Sequence, residues 1–339
     1  MMEIESLRKH CFENKPASLR CARQKTATPE EVIRMNYNEN PYGMSARARE
    51  LLLAAASEAS QYQDLNSVEL RQAIGDLYGL GEDNVLVGSG SSAVIDMIGE
   101  IFLKEGEEVV CGAPSYEAFP DMARDNGGVR VPVPLTGDYR FDLAAMREAV
   151  NERTKLVIVV NPNNPTGTIR SGKELAAFIR SLPPTVIPAI DEAYAEYVAD
   201  PGYESMISLV RHEYDRPLVV LRTFTKIYGL TSPRIGYAIA APELIDQLMQ
   251  AGQAWNVGRL AQTAALAALQ DQAFVSRMAA ANRAERENLY QGLWPLAVRW
   301  SPPRQTFSTS APPGGMPLPS GLPWSAGGSS SARRMTTTG

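Results

Sequence analysis

The chain has 339 residues, a formal net charge of -5 and 44% hydrophobic residues. A chain of this size buries a large core and, at about 100–200 residues per domain, holds two domains or one large domain with a satellite. A slightly acidic balance without a basic stripe argues against nucleic acid and anionic membrane surfaces and leaves small molecules as the expected partners.

The longest apolar runs, such as 156–160, are strand-sized, and the opening MMEIESLRKH lacks the apolar stretch of a secretion signal, so a soluble cytoplasmic protein is expected. Cys11, Cys21 and Cys111 are odd in number, and they show no ligand spacing with each other or with His10 and His212. Free thiols and no metal site follow.

Residues 1–35 mix charge and polarity with little periodicity and read as an arm ordered by a partner or a second domain. At Asn36 the text becomes NYNENPYG, where Asn-Pro and glycine mark a tight turn that holds Tyr42 beside Asn38 and Asn40. Helices are expected over 45–57, behind a serine N-cap, and over 67–78, with the loop QYQDLNS and its Tyr62 between them.

From residue 84 short apolar segments alternate with helix-sized ones. Strands are expected over 85–87, 108–111, 129–133, 156–160, 186–190 and 218–221, and helices over 93–103, 116–125, 142–150 and 172–180. That alternation predicts an α/β fold, a mainly parallel sheet covered by helices on both faces, with ligands beyond the carboxyl ends of the strands. The polar clusters fall at those ends: GSGSS, PSY, NPNNPTG, DEAY and TFTK.

A further strand is expected over 235–240, helices over 242–250, 260–269 and 272–293, and the start of another strand over 297–300. After Trp300 no acidic residue occurs, and proline, glycine, serine and threonine dominate, which predicts disorder. The expected division is therefore an arm (1–35), a large domain (36–250), the start of a small domain (251–300) and a tail (301–339).

The stretch TFTKIYGLTSPRIGY, residues 223–237, places Lys226 among hydroxyls, aromatics and an arginine. A lysine with few acidic neighbours holds an aldehyde as a Schiff base, while Thr223, Thr225 and Arg234 suit a phosphate. Aldehyde and phosphate together suggest pyridoxal 5'-phosphate.

Such a cofactor needs a buried carboxylate at its ring nitrogen, for which Asp191 is placed, and donors for its phenolic oxygen, for which Asn164 and Tyr194 lie at neighbouring strand ends. Ser91 and Ser92 stand where a helix start meets a phosphate, and Tyr116 is placed to stack on the ring. Plainer roles compete: a loop lysine, an N-cap for Asp191, a self-capping turn for Asn164, core packing for Tyr116 and rim packing for Tyr62. The run from Gly88 to Ala93 also fits G-x-G-x-x-A, with Glu107 and Glu108 about 20 residues on, the pattern of a nicotinamide-dependent dehydrogenase.

NENPYG, VGSGSS, NPNNPTG, DEAY, RTFTKIYGL and SPRIGY, in that order over about residues 35–295, resemble the motifs of class I/II aminotransferases of fold type I. Within that class the wording is most similar to the histidinol-phosphate aminotransferases. The resemblance implies a homodimer with shared active sites and pyridoxal phosphate on Lys226. Asp191 would face the pyridinium, Asn164 and Tyr194 the phenolate, and Ser91, Ser92, Thr223, Thr225 and Arg234 the phosphate.

It further implies that Tyr62 reaches the other subunit's cofactor phosphate, that Tyr42 lines the substrate pocket, and that an amino donor and a 2-oxo acid are the substrates. Histidinol phosphate with 2-oxoglutarate is the implied pair; an aromatic amino acid aminotransferase and a phosphothreonine decarboxylase-like enzyme share the motifs. The sequence departs from the family at Ser92 and Ala93, where an acidic pair is usual, in FTK for FSK, and in TSP before Arg234. After Trp300 the small domain expected to supply a substrate-binding arginine is not legible, and Arg304, Arg333 and Arg334 do not align with it. A protein that binds cofactor but is catalytically impaired is the corresponding alternative.

Overall fold

The computed structural model describes residues 36–212, 214–252 and 254–293, with the backbone of 299–300 and 310–311. All lie in the unit Met35–Pro313; the unit formed by Met1–Arg34 and Gly314–Gly339 is outside the described residues. The expected arm over 1–35 and, apart from 310–311, the expected disordered tail therefore also fall outside them.

Ser45 starts the first helix, α1 (Ala46–Ala55), by accepting a hydrogen bond from the Ala48 N–H at 3.2 Å, which satisfies one of the orphan donors of the first turn. A second helix, α2 (Val68–Tyr78), buries Leu70 and Ile74 and ends at Gly79, whose left-handed φ of 69° closes the helix at no Cβ cost. The alternating portion then runs β1 (Val85–Gly88), α3 (Gly90–Phe102), β2 (Glu108–Ala113), α4 (Ala118–Asp125), β3 (Val129–Pro134), α5 (Leu143–Ala149), β4 (Thr154–Val160) and α6 (Gly172–Ser181). It continues with β5 (Ile187–Asp191), the short α7 (Ile207–Arg211), β6 (Val219–Thr223), β7 (Gly236–Ile239), α8 (Pro242–Met249), α9 (Arg259–Gln270) and α10 (Gln272–Leu293).

Seven strands form one sheet in the order β1-β7-β6-β5-β4-β2-β3. Neighbouring pairs from β6 to β3 are parallel, whereas β7 runs antiparallel to both β1 and β6. Strands β5 and β6 are buried at every position, which is why they read as apolar runs and not as alternating ones. The edge strand β3 is largely exposed and carries Pro132 and Pro134, which leave fewer donors to template unwanted pairing.

Helix α3 packs on β7, β1 and β6, and the alanine-rich α9 packs on α1 and α2. Its buried Ala261, Ala264, Ala265 and Ala268 permit close helix approach. A short two-stranded ladder pairs β8 (Arg299–Trp300) with β9 (Ser310–Ala311). The parallel strands end at Gly88, Ala113, Val160, Asp191 and Thr223, so the loops after β1, β2, β4, β5 and β6 share one edge of the sheet.

Candidate active site

Strand β6 delivers the lysine. Its alternation turns Arg222 and Thr223 to opposite faces. Thr223 Oγ1 then accepts from the Thr225 N–H at 3.1 Å and shares a 2.8 Å hydrogen bond with Thr225 Oγ1, bending the chain out of the sheet. Phe224 anchors that bend against the rings of Tyr228 and Tyr237, with centroids 4.9 and 5.5 Å away.

The half-buried Lys226 donates from Nζ to the Tyr37 carbonyl at 3.1 Å and lies 5.5 Å from the centroid of the Tyr194 ring. Burial lowers its proton affinity; Asp191 opposes that and Arg234 adds to it.

Asp191 ends β5, is 2% exposed and, among the described residues, accepts one hydrogen bond, from the Ala193 N–H at 3.0 Å. Burial pushes its carboxyl up to about 6, helped by the neighbouring Glu192 charge and opposed by Lys226. Tyr194 stands three residues further on in DEAY, with its hydroxyl accepting from Asn38 Nδ2 at 3.1 Å. Burial raises the Tyr194 phenol, and the Asn38 bond works the other way.

At the end of β4 the two asparagines of NPNNPTG divide the work. Asn163 is fully buried and holds the turn, accepting from Ser115 Oγ at 2.7 Å and donating to the Pro114 carbonyl at 3.2 Å and Thr166 Oγ1 at 2.8 Å. Asn164 is half-buried, and its side chain has no hydrogen-bond partner among the described residues.

Gly90, at a φ of 81°, opens α3 behind β1 and leaves the first N–H groups of the helix, including those of Ser91 and Ser92, at its start. The Arg234 guanidinium leans on this turn so closely that a Cβ on Gly90 would collide with it, and a Cβ on Gly236 would collide with the Ser91 backbone. Tyr116 lies close enough to Ser92 for that side chain to draw its phenol down, and its ring meets Phe119 edge-on at 6.3 Å. Asp191 and Arg234 both lie near enough to perturb its phenol, which burial raises.

The two other tyrosines singled out from the sequence stand apart from this cluster. Tyr42 rides on a turn tied to the lysine loop, because Asn40 Nδ2 donates to the Ile227 carbonyl at 2.9 Å while Asn40 Oδ1 accepts from the Tyr42 N–H at 3.0 Å. Its side chain is 57% exposed. Tyr62 is 78% exposed and packs on Trp255, ring centroids 4.9 Å apart. The dinucleotide pattern loses both acidic partners: Glu107 accepts from the Lys104 N–H at 2.8 Å just before β2, and Glu108 is buried at the amino end of β2, away from the strand's carboxyl end, bonded to Asn151 Nδ2 at 2.7 Å and to Arg153.

Sequence reasoning missed the polar residues that support the site. Tyr37 and Asn38 touch it directly, and their signal was an asparagine-rich turn whose partners lie more than 150 residues away. Behind Asp191, Glu192 and Glu196 hold Arg222 at 3.1 and 2.9 Å, with Ser205 Oγ on Glu192 at 2.6 Å. An arginine inside the otherwise apolar VVLRT was the available clue, because a charge there demands a buried partner.

The family described as Aminotransferase class I and II matches residues 30–316. The chain belongs to the class I and II aminotransferases. The chain is 37% identical over 278 residues to histidinol-phosphate aminotransferase of Moorella thermoacetica, a match covering 82% of this chain and 72% of that one. It is 41% identical over 253 residues to the enzyme of the same name from Brevibacillus brevis, covering 75% and 69%. The solved histidinol-phosphate aminotransferase of Sinorhizobium meliloti in complex with pyridoxal-5'-phosphate superposes with a TM-score of 0.80 at 25% identity, covering 90% of this chain and 82% of that chain.

The cofactor of this aminotransferase family is pyridoxal phosphate. The residues fit such a group. A buried carboxyl with raised proton affinity faces a lysine whose own affinity is lowered, and the glycine turn of α3 presents backbone donors beside a guanidinium. Among the described residues no helix is long and apolar enough to cross a membrane.

Proposed function

We propose that this pyridoxal phosphate-dependent aminotransferase moves an amino group from L-histidinol phosphate to 2-oxoglutarate, a step of histidine biosynthesis. The identity to the Moorella enzyme, 37% across 82% of the chain, carries the substrate assignment. When bound, the cofactor supplies an aldehyde for the amino group and a ring that withdraws electrons from the substrate carbon.

Lys226 Nζ would anchor the cofactor and, once the incoming amino group has released it, would take the proton from the substrate carbon and pass it on, a task for which an amine of lowered proton affinity is suited. Asp191 holds the ring nitrogen's proton at a carboxylate that water does not reach. Tyr194 and Asn164 donate to the phenolic oxygen, and the unengaged amide of Asn164 supports that role. Tyr116 covers the ring, while Ser91, Ser92, Thr223, Thr225 and Arg234 take the phosphate.

In this reading residues 36–250 carry the cofactor, 251–300 begin the smaller domain, and Tyr42 lines the substrate pocket. The protein works in the cytoplasm as a homodimer in which Tyr62 of a second copy reaches the phosphate. The exposure of Tyr62, and of Leu53 at 66%, supports a second copy as the cover for this surface.

A panel of half-reactions tests the substrate. The loaded enzyme is mixed with single amino donors and conversion of the cofactor to its amine form is followed by absorbance. Histidinol phosphate is expected to react fastest; faster conversion by phenylalanine would replace it with an aromatic amino acid. Turnover with 2-oxoglutarate in the same preparation is expected at roughly 1 per second or faster, whereas conversion without turnover would mark an impaired enzyme.

A further inference from the structure

The turn that precedes α1 is joined to the site and its lysine loop at three points. The Tyr37 carbonyl accepts from Lys226 Nζ at 3.1 Å, Asn38 Nδ2 donates to the Tyr194 hydroxyl at 3.1 Å, and Asn40 Nδ2 donates to the Ile227 carbonyl at 2.9 Å. The lysine loop returns the contact at Gly229, where a Cβ would collide with the Gly43 carbonyl. Asn38 is thus held from both sides on the loop that carries the lysine. Its own backbone sits at a φ of 52°, a region that asparagine tolerates better than other residues bearing a side chain.

We propose that Asn38 is a positioning residue for Tyr194, fixing its hydroxyl and making it a stronger donor toward the cofactor's phenolic oxygen. An N–H donated to a phenol oxygen polarises that oxygen's own O–H, and such chains strengthen where the local dielectric is low. Tyr194 is 4% exposed, so the amide competes with little water for it. The bond also draws the phenol's proton affinity down against the effect of burial.

The same position shows why an asparagine stands there. Glycine would keep the left-handed backbone but lose the donor. Aspartate would keep the size, yet its carboxylate only accepts, so it would take the Tyr194 proton for itself.

The inference rests on the proposed role of Tyr194, and its test separates the two. The readout is the pH midpoint at which the visible absorbance of the bound cofactor changes. Donors on the phenolic oxygen drain its charge and weaken its hold on the proton of the lysine-linked nitrogen, so losing a donor raises that midpoint. Tyr194→Phe is expected to raise it most. Asn38→Gly, with the backbone preserved, is expected to raise it by roughly half a pH unit, the size of one modest hydrogen bond, and Asn38→Asp by more.

On the Tyr194→Phe background, Asn38→Gly is expected to add nothing, as it would if it acts through that hydroxyl. If Tyr194→Phe moves the midpoint and Asn38→Gly leaves it in place, the positioning role is overturned while the Tyr194 assignment stands. An unmoved midpoint in Tyr194→Phe overturns both. A shift from Asn38→Gly that persists undiminished without the Tyr194 hydroxyl overturns the positioning role as well.

Discussion

Asp191 and Glu192 are adjacent, both are almost wholly buried, and they sit in opposite circumstances. Glu192 is fully engaged inside the fold: Arg222 donates to it at 3.1 Å, Ser205 Oγ at 2.6 Å and the Met206 N–H at 2.7 Å. Asp191 receives one backbone N–H, and the nearby lysine amine is bonded elsewhere, to the Tyr37 carbonyl. The same division appears on β6, where Arg222 closes the network while Thr223, one residue on, turns toward the lysine bend. Burial alone therefore does not mark a functional group. A buried charge whose bonds are met within the fold maintains the fold, whereas one left short of partners is poised for a ligand.

Removing the lysine strikes the second class hardest. Lys226→Ala is expected to abolish the borohydride-sensitive visible absorbance and to slow the half-reaction by roughly ten-thousandfold, about 5 kcal/mol of barrier, with little change in unfolding free energy. Absorbance, single-turnover rates and urea unfolding on one preparation check this. A large loss of stability would erase the distinction between the two regions, because the lysine would then also be supporting the fold.

The reciprocal experiment removes the counter-charge of the first class. Arg222→Leu leaves Glu192 and Glu196 buried without their cation, and deleting one partner of such a group costs about 3 to 5 kcal/mol. Burial already pushes both carboxyls up against the pull of Arg222, so the variant is expected to take up protons on folding and to recover part of its stability as the pH is lowered. Urea unfolding between pH 5 and 8 measures both effects. A loss below about 1 kcal/mol, typical of an exposed pair, would show that the network is not the structural element its geometry indicates.

The sheet was legible because buried parallel strands must be apolar throughout: 156–160, 186–190 and 218–221 each fall on an observed strand to within two residues at either end. The site's outline was legible for a related reason, since polar residues at strand ends interrupt those runs. The position of β7 between β1 and β6 was not, because the order of strands depends on which chain returns to which edge, a long-range choice that local periodicity does not record. Asn38 was legible only as a turn residue beside Tyr42 for the same reason, as its partner in the site is 156 residues away. Asn163 and Asn164 illustrate a finer limit: the text offers two equivalent amides, and only the packing of the turn against Ser115 and Thr166 decides which one becomes structural.

The smallest expected effect is also the sharpest test of the contrast, because its sign is opposite to that of an ordinary core substitution. Asp191 has its proton affinity raised from the usual 3.8 to about 6, principally by burial. Below pH 3.8 both the folded and unfolded chains hold the proton and nothing is lost. Between 3.8 and about 6 the folded chain keeps a proton that the unfolded chain releases, so stability falls as the pH rises.

Above that window the cost is constant, about 3 kcal/mol for a difference of roughly two pH units. Asp191→Asn removes the charge while keeping the shape. Without added cofactor it is expected to unfold at higher urea than the parent at pH 7, by up to about 3 kcal/mol, with the gain shrinking toward pH 4. With cofactor present the order reverses in function, since the variant lacks the carboxylate that would hold the ring nitrogen's proton and should bind and turn over more weakly. Glu192→Gln, one residue along, is expected to lose stability at pH 7 instead: Arg222 stays charged and buried with one of its two anions gone, a cost that outweighs relief of the burial that pushes the Glu192 carboxyl up. Equal responses from the two substitutions would mean that neighbouring buried acids in this fold are not divided between maintaining structure and holding a ligand.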